Sequence, residues 1–413
     1  MISTNSSSAP SASSKITHMA VFSIGQFRNG TAAAILGLLV ACSTTPPPTP
    51  APPPGVSAPP SEDVFKPYPP DYSRREPDLL RERSRWVAVG WGDLPGWELD
   101  RAGELWPALL RGCERPAAGW ASVCAQARSL ATPDDAQARA WLMARLQPYR
   151  IESMDGQREG LITGYYEPLV TASRRPQAAF RTALHRPPAD LASRRPYWTR
   201  QQLEREAQAR QALQGREIAF IEDPLDALVL QIQGSGRLHL TEPDGSQRLV
   251  RLAFAGHNDQ PYKSVGRWLI EQGELRPEGA NWPAIKDWAR RNPGRINELL
   301  WSNPRVVFFR EEPLPDPNAG PRGGQAVPLT PGRSIAVDTA SVPYGTPVWL
   351  DSTEPLSNTP LRRLVMAQDT GSAITGAVRA DFFWGWGSTA EQQAGRMKQP
   401  LRMWALWPRE GRS

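Results

Sequence analysis

The stretch Asp369-Thr370-Gly371-Ser372-Ala373-Ile374-Thr375-Gly376-Ala377-Val378-Arg379-Ala380-Asp381-Phe382-Phe383-Trp384-Gly385 follows the apolar run Leu364-Val365-Met366-Ala367. Its first four residues spell D-T-G-S, the signature of an aspartic protease, whose chemistry needs two such carboxylates sharing one proton. A partial echo stands at Ile335-Ala336-Val337-Asp338-Thr339-Ala340-Ser341, but Asp338 and Asp369 are only 31 residues apart. That separation is too short for one protease lobe per aspartate. Around these aspartates lie short apolar runs cut by glycine and proline: Ser334 to Val337, Thr346 to Leu350, Arg363 to Gln368 and Leu401 to Trp407. Short strands at such spacing predict a closed barrel.

A carboxylic acid that donates a proton near neutral pH needs its pKa raised by burial or by a neighbouring like charge. Asp338, Asp369 and Asp381 converging in one barrel would supply both. The blander alternative makes each a turn or salt-bridge aspartate, with Arg379 two residues before Asp381 as a ready partner. Glu167, beside two tyrosines in Gly164-Tyr165-Tyr166-Glu167-Pro168, is a further candidate. Other chemistries find little support. The four histidines are spread apart, so no zinc-type cluster is legible and no metal or cofactor is expected. Gln233-Gly234-Ser235-Gly236-Arg237 lacks the G-x-S-x-G spacing of a nucleophile elbow and reads as a close backbone approach or a binding loop.

Composition is globular at 40% apolar and 22% charged residues, so disorder should be local. Many of the prolines crowd between Thr45 and Pro70, an extended spacer. Before it, Thr31 to Ala41 forms an apolar run too short to span a bilayer, which reads as an export signal covering residues 1–41, with Met19 as an alternative start. Its end, Leu39-Val40-Ala41-Cys42, resembles the bacterial lipobox, which implies lipidation of Cys42. Ser43 behind it favours the outer membrane by the same resemblance, with the body of the protein in the periplasm. Residues 42–71 would then tether the folded part. The two other cysteines, Cys113 and Cys124, flank a turn between helical patterns in an oxidising compartment, and a disulfide or two buried thiols fit equally. The net charge of +6 is carried by scattered arginines without a basic block, which gives no nucleic-acid footprint. Stem-peptide carboxylates of an envelope polymer are the natural anionic partner.

Residues from Tyr72 to Tyr149 read as helical. Thr132-Pro133-Asp134-Asp135 forms a helix start, Ala138, Trp141, Leu142 and Leu146 one face, and Pro148 a stop. Gly160 to Pro168 reads as a strand entering a loop. Leu225 to Phe254 alternates in β fashion, with Leu228 to Ile232 and Arg248 to Leu252 as strands. Helices follow over Val265 to Gln272, Trp282 to Arg291 and Pro293 to Trp301, and short strands resume at Arg305-Val306-Val307-Phe308-Phe309.

Five ordered segments carry a family resemblance: Thr163-Gly164-Tyr165-Tyr166-Glu167-Pro168, Gln231-Ile232-Gln233-Gly234-Ser235-Gly236, Asn303-Pro304-Arg305-Val306-Val307-Phe308-Phe309, Val327-Pro328-Leu329-Thr330 and the opening run 369–385. They resemble the membrane-bound lytic murein transglycosylase A (MltA) family, with Asp338, Asp369 and Asp381 matching the trio that names its C-terminal 3D domain. The resemblance implies a mainly β fold with helices. A double-psi β-barrel domain, built from residues 72–165 and 306–413, would carry an inserted second β-rich domain, residues 166–305, with the substrate groove between them. It implies Asp381 as the acid/base, Asp369 and Asp338 as supports, and Thr163, Tyr165, Gln233 and Ser235 as substrate contacts. Trp384 and Trp386 would stack on sugars or pack in the core, and Trp384 is the one expected in the groove. The implied activity is cleavage of the β-1,4 bond between N-acetylmuramic acid and N-acetylglucosamine in peptidoglycan strands, leaving a 1,6-anhydromuramic end. The alternatives are a hydrolase with Glu167 as second carboxylate and a non-catalytic glycan-binding lipoprotein. Partners in cell-wall synthesis or division are not legible.

Overall fold

A computed structural model describes residues 76–409. The export signal, Cys42 and the proline-rich tether lie outside the described residues.

The described residues open with two short strands, β1 (Leu79–Leu80) and β2 (Arg85–Ala88), then the helices Trp106–Gly112, Ala121–Ser129 and Asp135–Arg145, and then β3 (Leu146–Glu152). The expected helical character therefore holds only in the middle of this region. Strand β2 pairs antiparallel with β3, Arg85 opposite Glu152, and Pro148 lies inside a strand rather than ending a helix. The third helix is capped by Asp134 rather than Thr132. The Asp134 carboxylate accepts from the Gln137 N–H at 2.8 Å while the Gln137 side chain accepts from the Asp134 N–H, a reciprocal cap. Cys113 and Cys124 are joined by a disulfide that ties the end of the first helix to the second.

The chain then runs through β4 (Gly160–Glu167), β5 (Leu169–Ser173), β6 (Thr182–His185), β7 (Glu217–Ile221), β8 (Gly236–Thr241), β9 (Gln247–His257) and β10 (Val307–Pro313). Strands β5 to β10 form one six-stranded sheet, ordered β10-β9-β8-β5-β7-β6. Two expectations fail here. Leu228 to Ile232 belongs to a helix, Pro224–Gln233, opened by Asp223, whose carboxylate accepts from the Leu225 N–H at 2.8 Å, and closed by Gly234 at φ 79°. The helix is apolar on several sides at once: Leu225 and Leu228 pack on other helices, Ala227 and Leu230 on the sheet, and Val229 beside Tyr166. A helix buried all round loses the 3.6-residue polar alternation, so its sequence mimics a strand. The second failure is β10, placed by sequence at the start of the returning barrel segment. It pairs with β9 from Val307↔His257 to Pro313↔Val250, and Val307 and Phe309 fill the core of the second sheet. The chain re-enters the barrel only after Pro313.

The remaining strands are β11 (Ser334–Val337), β12 (Pro347–Thr353), β13 (Pro360–Asp369), β14 (Arg379–Trp386) and β15 (Lys398–Pro408). They run in the order β15-β12-β13-β11-β14-β4, and β15 also pairs with β4, which closes a six-strand barrel. Ile162, Ile335, Val337, Val348, Val365, Ala380, Phe382 and Met403 fill one buried cluster of this barrel. Each fully buried large side chain there contributes about 1.5–3 kcal/mol. A helix absent from the sequence reading, Gly387–Ala394, packs on β4 and β14. Gly164 is required beneath it, because a Cβ at that position would lie 2.7 Å from Trp384 Nε1 and 2.9 Å from the Ala394 Cα.

Candidate active site

The register of the barrel places the two aspartates of the opening stretch. On the short central strand β11, Ala336 faces Asp369 of the parallel neighbour β13 and Asp381 of the antiparallel neighbour β14. The two aspartates are thus held two strand spacings apart, about 10 Å between Cα atoms. On the other side of β14, β4 runs parallel and sets Thr163 opposite Asp381 and Tyr165 opposite Phe383.

Asp381 faces a cleft of about 650 Å³ between the barrel and the second sheet. Burial in its protein surroundings pushes its carboxyl up to about 6; the Thr163 hydrogen bond and the charge of Arg379 pull it down, and the charge of Asp369 adds to the rise. The Thr163 hydroxyl donates to Asp381 Oδ1 at 2.6 Å and itself receives a hydrogen bond from the Arg379 guanidinium at 2.9 Å. Because Thr163 Oγ1 accepts from Arg379, its single proton points to Asp381. Among the described residues no hydrogen bond occupies Oδ2. Arg379, the ion-pair partner of the blander alternative, donates to Thr163 and acts on Asp381 by its charge.

Asp369 is fastened on both oxygens. Oδ2 accepts from the Tyr165 hydroxyl at 2.9 Å, and Oδ1 from the N–H groups of Gly324 at 2.8 Å and Thr370 at 2.9 Å. Burial raises its pKa and these three donors oppose the rise. The Gly324 contact depends on a glycine pair: a Cβ at Gly323 would lie 2.5 Å from the Gln368 carbonyl oxygen, and one at Gly324 2.2 Å from the Tyr344 hydroxyl. Sequence reading passed over this pair, which lies in the long loop between β10 and β11.

Asp338 does not join the other two. It is buried away from the cleft, where it accepts from Arg83 at 3.1 Å, from the Ala340 N–H at 3.1 Å and from the Gly376 N–H at 2.8 Å. It fastens Gly376, near the end of the loop that leads into β14 and Asp381, which is structural support and not convergence. Trp384 is also misplaced by the sequence reading. Its ring packs on Phe382 at 4.9 Å and its N–H points to Met397 Sδ at 3.3 Å, outside the cleft lining. Trp386 sits under the Arg237 guanidinium at 3.9 Å. Tyr165, Gln233 and Ser235 do line the cleft, joined from the second sheet and its helices by Phe254, His257, Asn303, Arg305 and Arg310. Asn303 and Arg305 lie in one of the segments that carry the family resemblance, whereas Phe254, His257 and Arg310 carried no local signal and reach the cleft through the sheet's folding.

Glu167 is fully buried and clamped between Arg237 Nε at 2.7 Å and Arg251 Nε at 2.6 Å. It has no access to the cleft. Replacing it by glutamine leaves two buried guanidiniums without their anion, so Glu167→Gln should destabilise the protein by about 3–5 kcal/mol, read as a lowered denaturant midpoint.

The model of the MltA specific insert domain matches residues 161–310, and that of the 3D domain matches residues 333–407. The membrane-bound lytic murein transglycosylase A of Vibrio cholerae is 31% identical over 267 residues, which cover 63% of this chain and 69% of that protein. This chain belongs to the MltA family. Among solved structures, the lytic transglycosylase LtgG of Burkholderia pseudomallei is 44% identical with a TM-score of 0.57, covering 83% of this chain and 99% of that one. MltA from Neisseria gonorrhoeae is 29% identical with a TM-score of 0.69, covering 83% and 97%. The MltA insert model ends at residue 310, inside β10, which agrees with that strand's place in the second sheet.

Proposed function

We propose that this protein is a peptidoglycan lytic transglycosylase in which Asp381 alone serves as acid and then as base. The observation that carries the reading is the contrast among the carboxylates. Asp381 is raised to about 6 with one oxygen unengaged among the described residues, Asp369 is held by three donors, and Glu167 is locked between two arginines. The relatives named as lytic transglycosylases supply the substrate class.

Protonated Asp381 donates to the glycosidic oxygen between N-acetylmuramic acid and N-acetylglucosamine as that bond breaks, with oxocarbenium-like charge developing on the muramic ring. The carboxylate left behind takes the proton of the same ring's C6 hydroxyl, whose oxygen closes on C1. The product is a 1,6-anhydro ring, no water is consumed, and Asp381 ends protonated as it began. Thr163 and Arg379 orient the carboxyl through Oδ1, and the charge of Asp369 favours the protonated form. A hydrolase would need a second carboxylate free to activate water. Glu167 cannot serve, and Asp369 is fully engaged. Asp338 has the role of a structural brace.

The domain reading follows the same lines, with the barrel as the catalytic half and the second sheet as the inserted half. Among the described residues no helix is long and apolar enough to cross a membrane. We place the protein in the periplasm, held to the outer membrane by a lipid on Cys42. Mass analysis of a peptidoglycan digest tests the function: products should lack the mass of one water relative to reducing ends, and reducing ends alone would refute it.

A further inference from the structure

The run Pro321 to Ala326 borders the cleft, and of its residues only Gln325 has no place in the cleft wall. Its side chain is buried and runs to the helical hairpin outside the barrel, where Nε2 donates to the Gly112 carbonyl at 3.1 Å and to the Arg115 carbonyl at 2.9 Å. These carbonyls flank Cys113, whose disulfide to Cys124 joins the two helices of the hairpin. Gly345 leaves room for the amide: its φ is 80°, and a Cβ there would lie 3.0 Å from Gln325 Nε2. Gln368, the residue before Asp369, reaches the same hairpin. Its Nε2 donates to the Ala108 carbonyl at 2.9 Å, and its own carbonyl accepts from the Gln325 N–H at 3.0 Å.

A tight turn is held between these anchors. Ala326 is left-handed at φ 62°, and its N–H donates to the Gly323 carbonyl at 2.8 Å. An alanine in that conformation is strained, so the turn keeps its shape only because its neighbours are tied down. What the turn presents to the site is the Gly324 N–H on Asp369 Oδ1. Of the three donors on Asp369, Thr370 adjoins it in sequence and Tyr165 stands on β4. Gly324 alone arrives on a loop, and its position depends on what fastens that loop.

We propose that Gln325 is a positioning residue for the reaction: through it the disulfide-braced hairpin fixes the Gly324 N–H on Asp369, and with it the charge that Asp381 feels. The inference rests on the reading of Asp381 as the acid and Asp369 as its charged support. Asp369 favours a proton on Asp381 only while it is itself ionised. Without the Gly324 N–H, burial is opposed by fewer donors and Asp369 takes up its proton at higher pH. Asp381 and the phenols of Tyr165 and Tyr344 also face Asp369; both phenols are raised above their usual value and stay neutral where the carboxyls titrate.

The test is the titration of Asp369 in the whole protein without substrate, followed by its carboxyl ¹³C resonance, which Asp369→Asn identifies by its loss. Gln325→Met, similar in length but unable to donate, should raise that pKa. It should also lower kcat about tenfold with KM unchanged, because the side chain lies outside the cleft, and the acid limb of kcat should move to higher pH. A pKa that stays in place or falls overturns the proposal, and so does a loss confined to KM. Should the methionine variant fold poorly, Gln325→Asn, whose amide stops one methylene short of the two carbonyls, is read in the same way. Replacing Cys113 and Cys124 together by serine should move the Asp369 titration in the same direction, and a titration identical to that of the wild type would overturn the hairpin's part. Water-added ends from the wild-type protein, with the Gln325→Met titration shifted, would refute the transglycosylase mechanism alone. Anhydro ends with an unshifted titration would refute this inference alone.

Discussion

Asp381→Asn is expected to lower kcat on peptidoglycan by about 10³-fold with the fold intact, as removal of a general acid commonly does. The loss should be this large because neither Asp369 nor Glu167 is free to replace Asp381. Asp369 is tied to Tyr165, Gly324 and Thr370, and Glu167 never reaches the cleft. Stability should change little, since among the described residues the one side-chain hydrogen bond Asp381 accepts comes from Thr163, and asparagine keeps an acceptor there. A variant retaining more than about a tenth of the wild-type kcat would remove Asp381 from the mechanism, because a proton donor contributes at least about 10²-fold.

The second large effect is on pH dependence. The first step needs Asp381 protonated, and its carboxyl titrates at about 6, so kcat/KM should fall as pH rises through that value, about tenfold per unit beyond it. The hydrogen bond from Thr163 and the charge of Arg379 both favour the carboxylate and hold the pKa down. Thr163→Val removes the first and loosens the second, so its falling limb should move to higher pH even as its maximum rate drops. A limb that stays in place, or moves to lower pH, would show that Thr163 does not act on the acid.

Much of this site could be read from residues alone, and the reasons for the exceptions are physical. The aspartates at 369 and 381 sit on strands whose register is fixed by the barrel, so their pairing across Ala336 follows from apolar runs visible in sequence. Asp338 looked equivalent because it repeats the local pattern, yet its side chain serves Arg83 and the Gly376 N–H. Local sequence does not say to which side of a strand end a carboxylate turns. Trp384 misled for a similar reason. It shares a face of β14 with the buried Phe382, whereas the alternate face carries Asp381 and Phe383 beside Tyr165. The helix Pro224–Gln233 was hidden because it is packed from several directions. The cap Asp223-Pro224 and the closing Gly234 were the better guides to it. Strand β10 was assigned to the wrong sheet because an apolar strand carries no mark of its partner.

The central claim is that one carboxylate performs both steps and no water enters. It is tested most directly by digesting peptidoglycan with the wild-type protein in ¹⁸O-enriched water and weighing the released fragments. The account predicts 1,6-anhydro ends carrying no ¹⁸O. Fragments whose new muramic ends are one water heavier and labelled with ¹⁸O would contradict it.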